Sequence, residues 1–157
     1  MSAGPLLDQS RARALLEQAL RSGHLADAWL FVGPHGVGKE EAALAFARAL
    51  DCTAAPGSGP DLFAPLPAGE AAADRPRLGG CGACETCLRI DRYTHPDVIV
   101  RLPLPRPKEN GPADPSEALS FKARNPYRDP PLTGGNLAIG IEDVRAIRQG
   151  LAYSPVE

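Results

Sequence analysis

Apolar and polar positions divide the chain into helical blocks, two short apolar runs and two stretches without a period. Ala12, Leu15, Leu16, Ala19 and Leu20 recur at the spacing of one helix face. A helix capped by Asp8 or Ser10 is therefore predicted to run to about Ser22, with Gly23 ending it in a left-handed conformation. Ala28-Trp29-Leu30-Phe31-Val32 is a continuous apolar run stopped by Gly33. That pattern predicts a strand buried on both faces of a parallel sheet. Helical spacing returns from Gly38 to about Leu50, with Ala42, Phe46, Ala49 and Leu50 close to one stripe. Further helix is predicted over Glu85 to Arg92, and Pro96 precedes a strand at Val98-Ile99-Val100. The last helix starts at Glu142 and Asp143, where the helix dipole favours negative charge, and carries Val144, Ile147 and Leu151 as its apolar seam.

The two aperiodic stretches hold much of the glycine and proline, of which the chain has 16 and 17. Residues 53–80 read as a flexible insertion and 102–135 as a Pro-rich irregular one, both running over the surface. The fold class these elements predict is α/β, in the order helix, strand, loop, helix, cysteine segment, strand, helix. Two strands make a sheet too small to bury those helices, so residues 1–157 are expected to be the front part of a larger domain.

Charge narrows the choice of partner. With 17 basic and 19 acidic side chains the formal net charge is -2, which does not favour a strongly basic nucleic-acid surface. No apolar stretch approaches the length of a membrane span, and the first residues do not resemble a signal peptide. The cytoplasm is the expected compartment. Its reducing poise directs the four cysteines away from disulfides and towards metal ligation or thiol chemistry.

Two motifs carry that chemistry. Residues Gly33, Pro34, His35, Gly36, Val37, Gly38, Lys39 and Glu40 follow the phosphate-loop template G-x-x-x-x-G-K-[ST] at every position but the last. Gly33 and Gly36 allow backbone N–H groups to turn inward around phosphate oxygens, and Gly38 gives tight passage into the following helix. Lys39 would reach the outer phosphates of ATP or ADP. Glu40 stands where a hydroxyl ordinarily ligates Mg²⁺, so Mg²⁺ is not expected to be held in the usual way. No apolar strand ending in paired carboxylates follows the loop, and hydrolysis by this chain is not expected. His24 and His95 have no partner pattern that supports a hydrolytic triad.

The second motif is Cys81-x2-Cys84-x2-Cys87, with Cys52 standing after the loop helix. Short spacings let one turn present several thiolates to a tetrahedral Zn²⁺, and four protein ligands make a closed, structural site. Iron–sulfur ligation is the rival reading, but the fourth cysteine of the bacterial ferredoxin run is missing. A redox dithiol explains the grouping less well.

Together the segments HLADAWLFVGPHGVGKEEAALAFARALDC, C-x2-C-x2-C, THPDVIV and IGIEDVRAIRQGL resemble the bacterial clamp-loader subunits of DNA polymerase III. The resemblance implies a partial AAA+ P-loop NTPase domain with an inserted four-cysteine zinc module spanning residues 52–87, whose ligands are Cys52, Cys81, Cys84 and Cys87. Gamma/tau subunits of this family usually carry a hydroxyl residue after the loop lysine and a tyrosine-arginine-proline opening. This chain has neither, and is more similar to the delta-prime subunits, whose loop is often degenerate. The implied role is that of a stator, with other loader subunits, the sliding clamp and primer-template DNA as partners and no membrane. A gamma/tau-like ATPase and a zinc-containing nucleic-acid-binding module are the alternatives.

Overall fold

A computed structural model describes residues 9–54, 78–105, 114–126, 128–131 and 137–150. Among them the elements run α1 (Ser10–Ser22), α2 (Lys39–Asp51), α3 (Glu85–Asp91), β1 (Leu104–Pro105), α4 (Pro115–Arg124), β2 (Leu137–Ala138) and α5 (Ile141–Gly150). The result is a small, mostly helical protein with one short antiparallel ladder and a four-cysteine cluster. The chain divides into two units at Ile90 and Asp91.

In the first unit, α1 and α2 pack by the faces their periodicity marks out. Leu16 and Leu20 of α1 meet Ala42, Phe46 and Ala49 of α2, with Phe31 and Leu78 against the same cluster. The alanines bring no bulk to the interface, so the leucines and Phe46 supply most of the apolar area. Each such side chain stabilises by about 1.5–3 kcal/mol when fully buried. Trp29 lies across Phe46 at a centroid distance of 5.2 Å and a tilt of 58°. Along α1, Glu17 accepts from Arg13 at 2.7 Å and from Arg21 at 3.2 Å. These are i,i+4 pairs that support the helix only slightly.

Several expectations for this unit are corrected. The N-cap of α1 is Gln9, without a side-chain cap bond, and Ser10 is already helical. Asp8 lies outside the described residues. Gly23 does end α1 in the left-handed region, at φ 69°. The buried face is narrower than predicted, since Ala12, Leu15 and Leu50 are exposed while Arg48 is buried. The largest correction concerns Ala28–Val32, which forms no strand; Leu30 is 88% and Val32 83% exposed. A strand of that kind exists only with ladder partners on its edges and cover on both faces, and among the described residues none pairs with it.

In the second unit β1 and β2 pair antiparallel, Leu104 with Ala138 and Pro105 with Leu137. Pro105 has no N–H to donate, which limits the ladder at that end. The run Val98-Ile99-Val100, expected to be a strand, is irregular. Conversely, α4 forms within the stretch read as irregular, 102–135. Its start is well specified: Asp114 Oδ1 accepts from Ser116 N at 2.8 Å, and Pro115 occupies the first turn beside Glu117. Asn125 closes its other end by donating its backbone N–H to Phe121 O and Lys122 O. The predicted last helix is present as α5, and Asp143 Oδ2 reaches back to accept from Gly140 N at 3.0 Å. No residue of α5 is fully buried; of its expected seam, Ile147 is half-buried and Val144 exposed. Leu151 lies outside the described residues.

Candidate metal centre and glycine-rich loop

The cysteines assemble around the C-terminal end of α2. Cys52 is the C-cap of that helix, so its sulfur sits where the chain leaves regular structure. The other three come from a turn and the helix after it. Gly79, Gly80 and Gly82 have φ of 100°, 62° and 66°, a region that costs residues with a Cβ about 1–2 kcal/mol. Gly80 is constrained further: a Cβ there would lie 2.8 Å from both Arg48 O and Cys87 Sγ. Cys81 and Cys84 follow on the turn, and Cys87 lies fully buried in the first turn of α3.

All four Sγ atoms lie within 4.8 Å of one another. Cys52 Sγ is 3.9 Å from Cys84 Sγ, and Cys81 Sγ is 4.0 Å from Cys87 Sγ. Sulfurs at 2.3 Å from a tetrahedral Zn²⁺ stand about 3.8 Å apart, so the cluster has the dimensions of such a site and is capable of holding a metal ion. The backbone is arranged for negative sulfur. Cys84 N and Ala83 N donate to Cys81 Sγ at 3.1 and 3.4 Å, Cys81 N to Cys52 Sγ at 3.3 Å, and Cys87 N to Cys84 Sγ at 3.5 Å.

Proton affinity divides the thiols. Burial pushes Cys87 up to about 12 and raises Cys52, in each case against backbone hydrogen bonds that favour the thiolate. At Cys84 burial also raises the pKa, but hydrogen bonds from the Cys87 backbone and from the Cys81, Cys87 and Thr53 side chains outweigh it and bring it down to about 6. Burial thus favours the proton at Cys52 and Cys87, whereas hydrogen bonding favours the thiolate at Cys84. A metal ion must displace those protons.

At the opposite end of α2 lies the glycine-rich loop. Gly36 and Gly38 have φ of 78° and 89°, and Gly38 is the N-cap. Gly33 leaves room for Val37, whose Cγ1 would lie 3.0 Å from a Cβ at that position. Lys39 Nζ folds back to donate to Gly33 O at 2.9 Å and Pro34 O at 2.7 Å. Val37 N donates to Pro34 O at 3.4 Å. The loop thus brings Gly33, Pro34, Val37 and Lys39 together; Val37, Gly38 and Lys39 are half-buried, and Gly33, Pro34, His35, Gly36 and Glu40 are exposed.

One residue with a role at the cluster escaped the sequence reading. Arg48 is 5% exposed and donates from Nε to Gly79 O at 3.2 Å and from a terminal nitrogen to Glu41 Oε1 at 2.9 Å. Its only sequence signal is a charge on an alanine stripe, two turns after an acidic residue on the same helix face.

A helix opened by a glycine turn and closed by four cysteines defines a helical protein built around a potential metal centre. The profile of the family described as "DNA polymerase III, delta subunit" matches residues 8–157, and the chain belongs to that family. It is similar to DNA polymerase III subunit gamma/tau of Mycobacterium bovis (strain ATCC BAA-935 / AF2122/97) and of Mycobacterium tuberculosis, strains CDC 1551 / Oshkosh and ATCC 25618 / H37Rv. In each case 31% of 85 aligned residues are identical, covering 54% of this chain and 11% of the relative. The chain therefore spans a small fraction of the length of these relatives. No solved structure is significantly similar to it. Among the described residues no helix is long and apolar enough to cross a membrane.

Proposed function

We propose that this chain is the amino-terminal part of a delta-prime-like stator of the DNA polymerase III clamp loader, working in the cytoplasm. In this reading residues 1–157 belong to an AAA+ nucleotide-binding domain, interrupted by the insertions 53–80 and 102–135. The complete subunit supplies a rigid surface to the other loader subunits, which together place the sliding clamp on primer-template DNA. The observation that carries the reading is the family match over residues 8–157 in a chain whose loop lysine is followed by Glu40. Lys39 is suited to the phosphates of ATP or ADP, but a glutamate brings charge of the wrong sign to the place of the Mg²⁺-binding hydroxyl. Binding without turnover is the expected behaviour.

Cys52, Cys81, Cys84 and Cys87 are the proposed ligands of one Zn²⁺. Four thiolates leave the ion no open position, so when bound it supplies folding energy and no catalysis. The test is reconstitution of the natural full-length subunit with its loader partners. It should co-elute with them in fixed ratio while showing no ATP turnover alone. Failure to join the assembly would defeat the stator role.

The similarity to gamma/tau keeps a second reading in play, that of an ATPase with an unusual loop. That reading requires Mg²⁺-dependent turnover by the full-length protein, abolished in Lys39→Ala.

A further inference from the structure

The two halves of the cysteine cluster arrive from distant parts of the chain, and something must hold them in register. Cys52 ends α2, whereas Cys81 follows 29 residues later on a separate turn. Between Leu78 and Cys81 the backbone is fastened to α2 at Gly79. Its N–H donates to Ala45 O at 2.9 Å, and its carbonyl accepts from Arg48 Nε at 3.2 Å. The neighbouring Gly80 packs directly on the Arg48 carbonyl and on Cys87 Sγ. Arg48 lies one helical turn before Cys52, so it fastens the incoming turn beside the ligand it must meet.

A buried guanidinium is an expensive way to make such a contact unless its charge is answered. Glu41 answers it, at 2.9 Å from the same side chain. Glu41 also stands two residues after Lys39, on the helix turn that the glycine-rich loop opens. A rigid fork with several donors suits this double task, since one side chain must meet a carbonyl and a carboxylate at once. A lysine has a single terminal nitrogen and no donor at the Nε position along its stem.

We propose that Arg48 is the positioning residue of the metal site, aligning the Gly79–Cys84 turn with Cys52 while Glu41 fixes the guanidinium. The inference rests on metal ligation by the four cysteines. In this role Arg48 acts by placing the peptide that carries Cys81.

The test uses the full chain loaded with Co²⁺, whose thiolate charge-transfer and d–d bands report tetrahedral sulfur coordination, together with the rate of Zn²⁺ release to a chromophoric chelator. Arg48→Met keeps the apolar stem and removes the bonds to Gly79 O and Glu41 Oε1; it should release zinc about 10–100-fold faster, the range for loss of a residue that orients metal ligands, with altered Co²⁺ bands. Arg48→Lys retains charge for Glu41 and should fall between the two, and it serves if the methionine variant does not fold. Arg21→Met removes another ion-paired arginine of the same unit and should release zinc at the wild-type rate. Wild-type bands and release rate in Arg48→Met, or in Arg48→Lys if only that variant folds, would overturn the proposal. Absence of thiolate bands from the wild-type protein would instead overturn metal ligation itself.

Discussion

Helix α2 has a glycine-rich turn at each end, and the two differ in what a side chain would meet. At the amino end, a Cβ at Gly36 would find nothing within 4 Å. The loop is largely exposed, and Lys39 donates to two of its carbonyls. At the carboxyl end, a Cβ at Gly80 would strike Arg48 O and Cys87 Sγ, and the amides of Cys81, Ala83 and Cys84 are aimed at sulfurs. The first glycine serves backbone freedom alone; the second also serves close approach. One end is an open cradle, the other a packed joint.

Metal removal gives the largest expected contrast. If the four thiolates hold zinc as proposed, stripping it with a chelator, or replacing the buried thiol in Cys87→Ser, should unfold the cysteine turn, because structural zinc sites contribute on the order of 10 kcal/mol to folding. The melting temperature should fall by tens of degrees, while the glycine-rich loop, lacking metal, contributes nothing to the loss. Acid should act in the same direction. Cys52 and Cys87 hold protons tightly when metal-free, and their raised pKa values mean that each step down in pH favours the protonated, metal-free cluster. Zinc affinity measured against a competing chelator should therefore fall steeply from about pH 8 to about pH 6; a flat profile would break the assignment of protons given above.

Next in size is the glycine pair. Gly80→Ala combines a left-handed alanine with a backbone clash and should cost about 3 kcal/mol or more in denaturant titrations. Gly36→Ala carries only the conformational cost, about 1–2 kcal/mol. Equal losses would remove the distinction between cradle and joint. Smallest for stability is Lys39→Ala, expected to stay within about 0.5 kcal/mol of wild type yet to weaken ADP binding by the full-length subunit about tenfold, the worth of a charged hydrogen bond. A large loss of stability would make the lysine a strut of its own loop.

How legible these features were in the sequence depends on how local their causes are. Helices α1, α2, α3 and α5 follow from short-range periodicity, and Gly23 ended α1 as its lack of a Cβ predicts. The cysteine cluster was readable because spacing and residue type restrict what thiols can do together. Helix α4 had its signal in Asp114-Pro115-Ser116-Glu117, a cap followed by a first-turn proline and acid, but the surrounding prolines masked it. The runs Ala28–Val32 and Val98–Val100 were misread because a strand is a property of its neighbours, and neighbours are not encoded in the run. Arg48 was missed for the same reason: its carbonyl partner is 31 residues away.

The contact between Cys52 and Cys81 ties a knot at the neck of residues 53–80. Once such a neck is fastened, the ends of the intervening stretch meet whatever its content, and chain statistics charge only about 0.6 kcal/mol for each doubling of its length. An affinity tag or a fluorophore is accordingly best spliced in within 55–77, with Leu78, Gly79 and Gly80 kept where they meet α2.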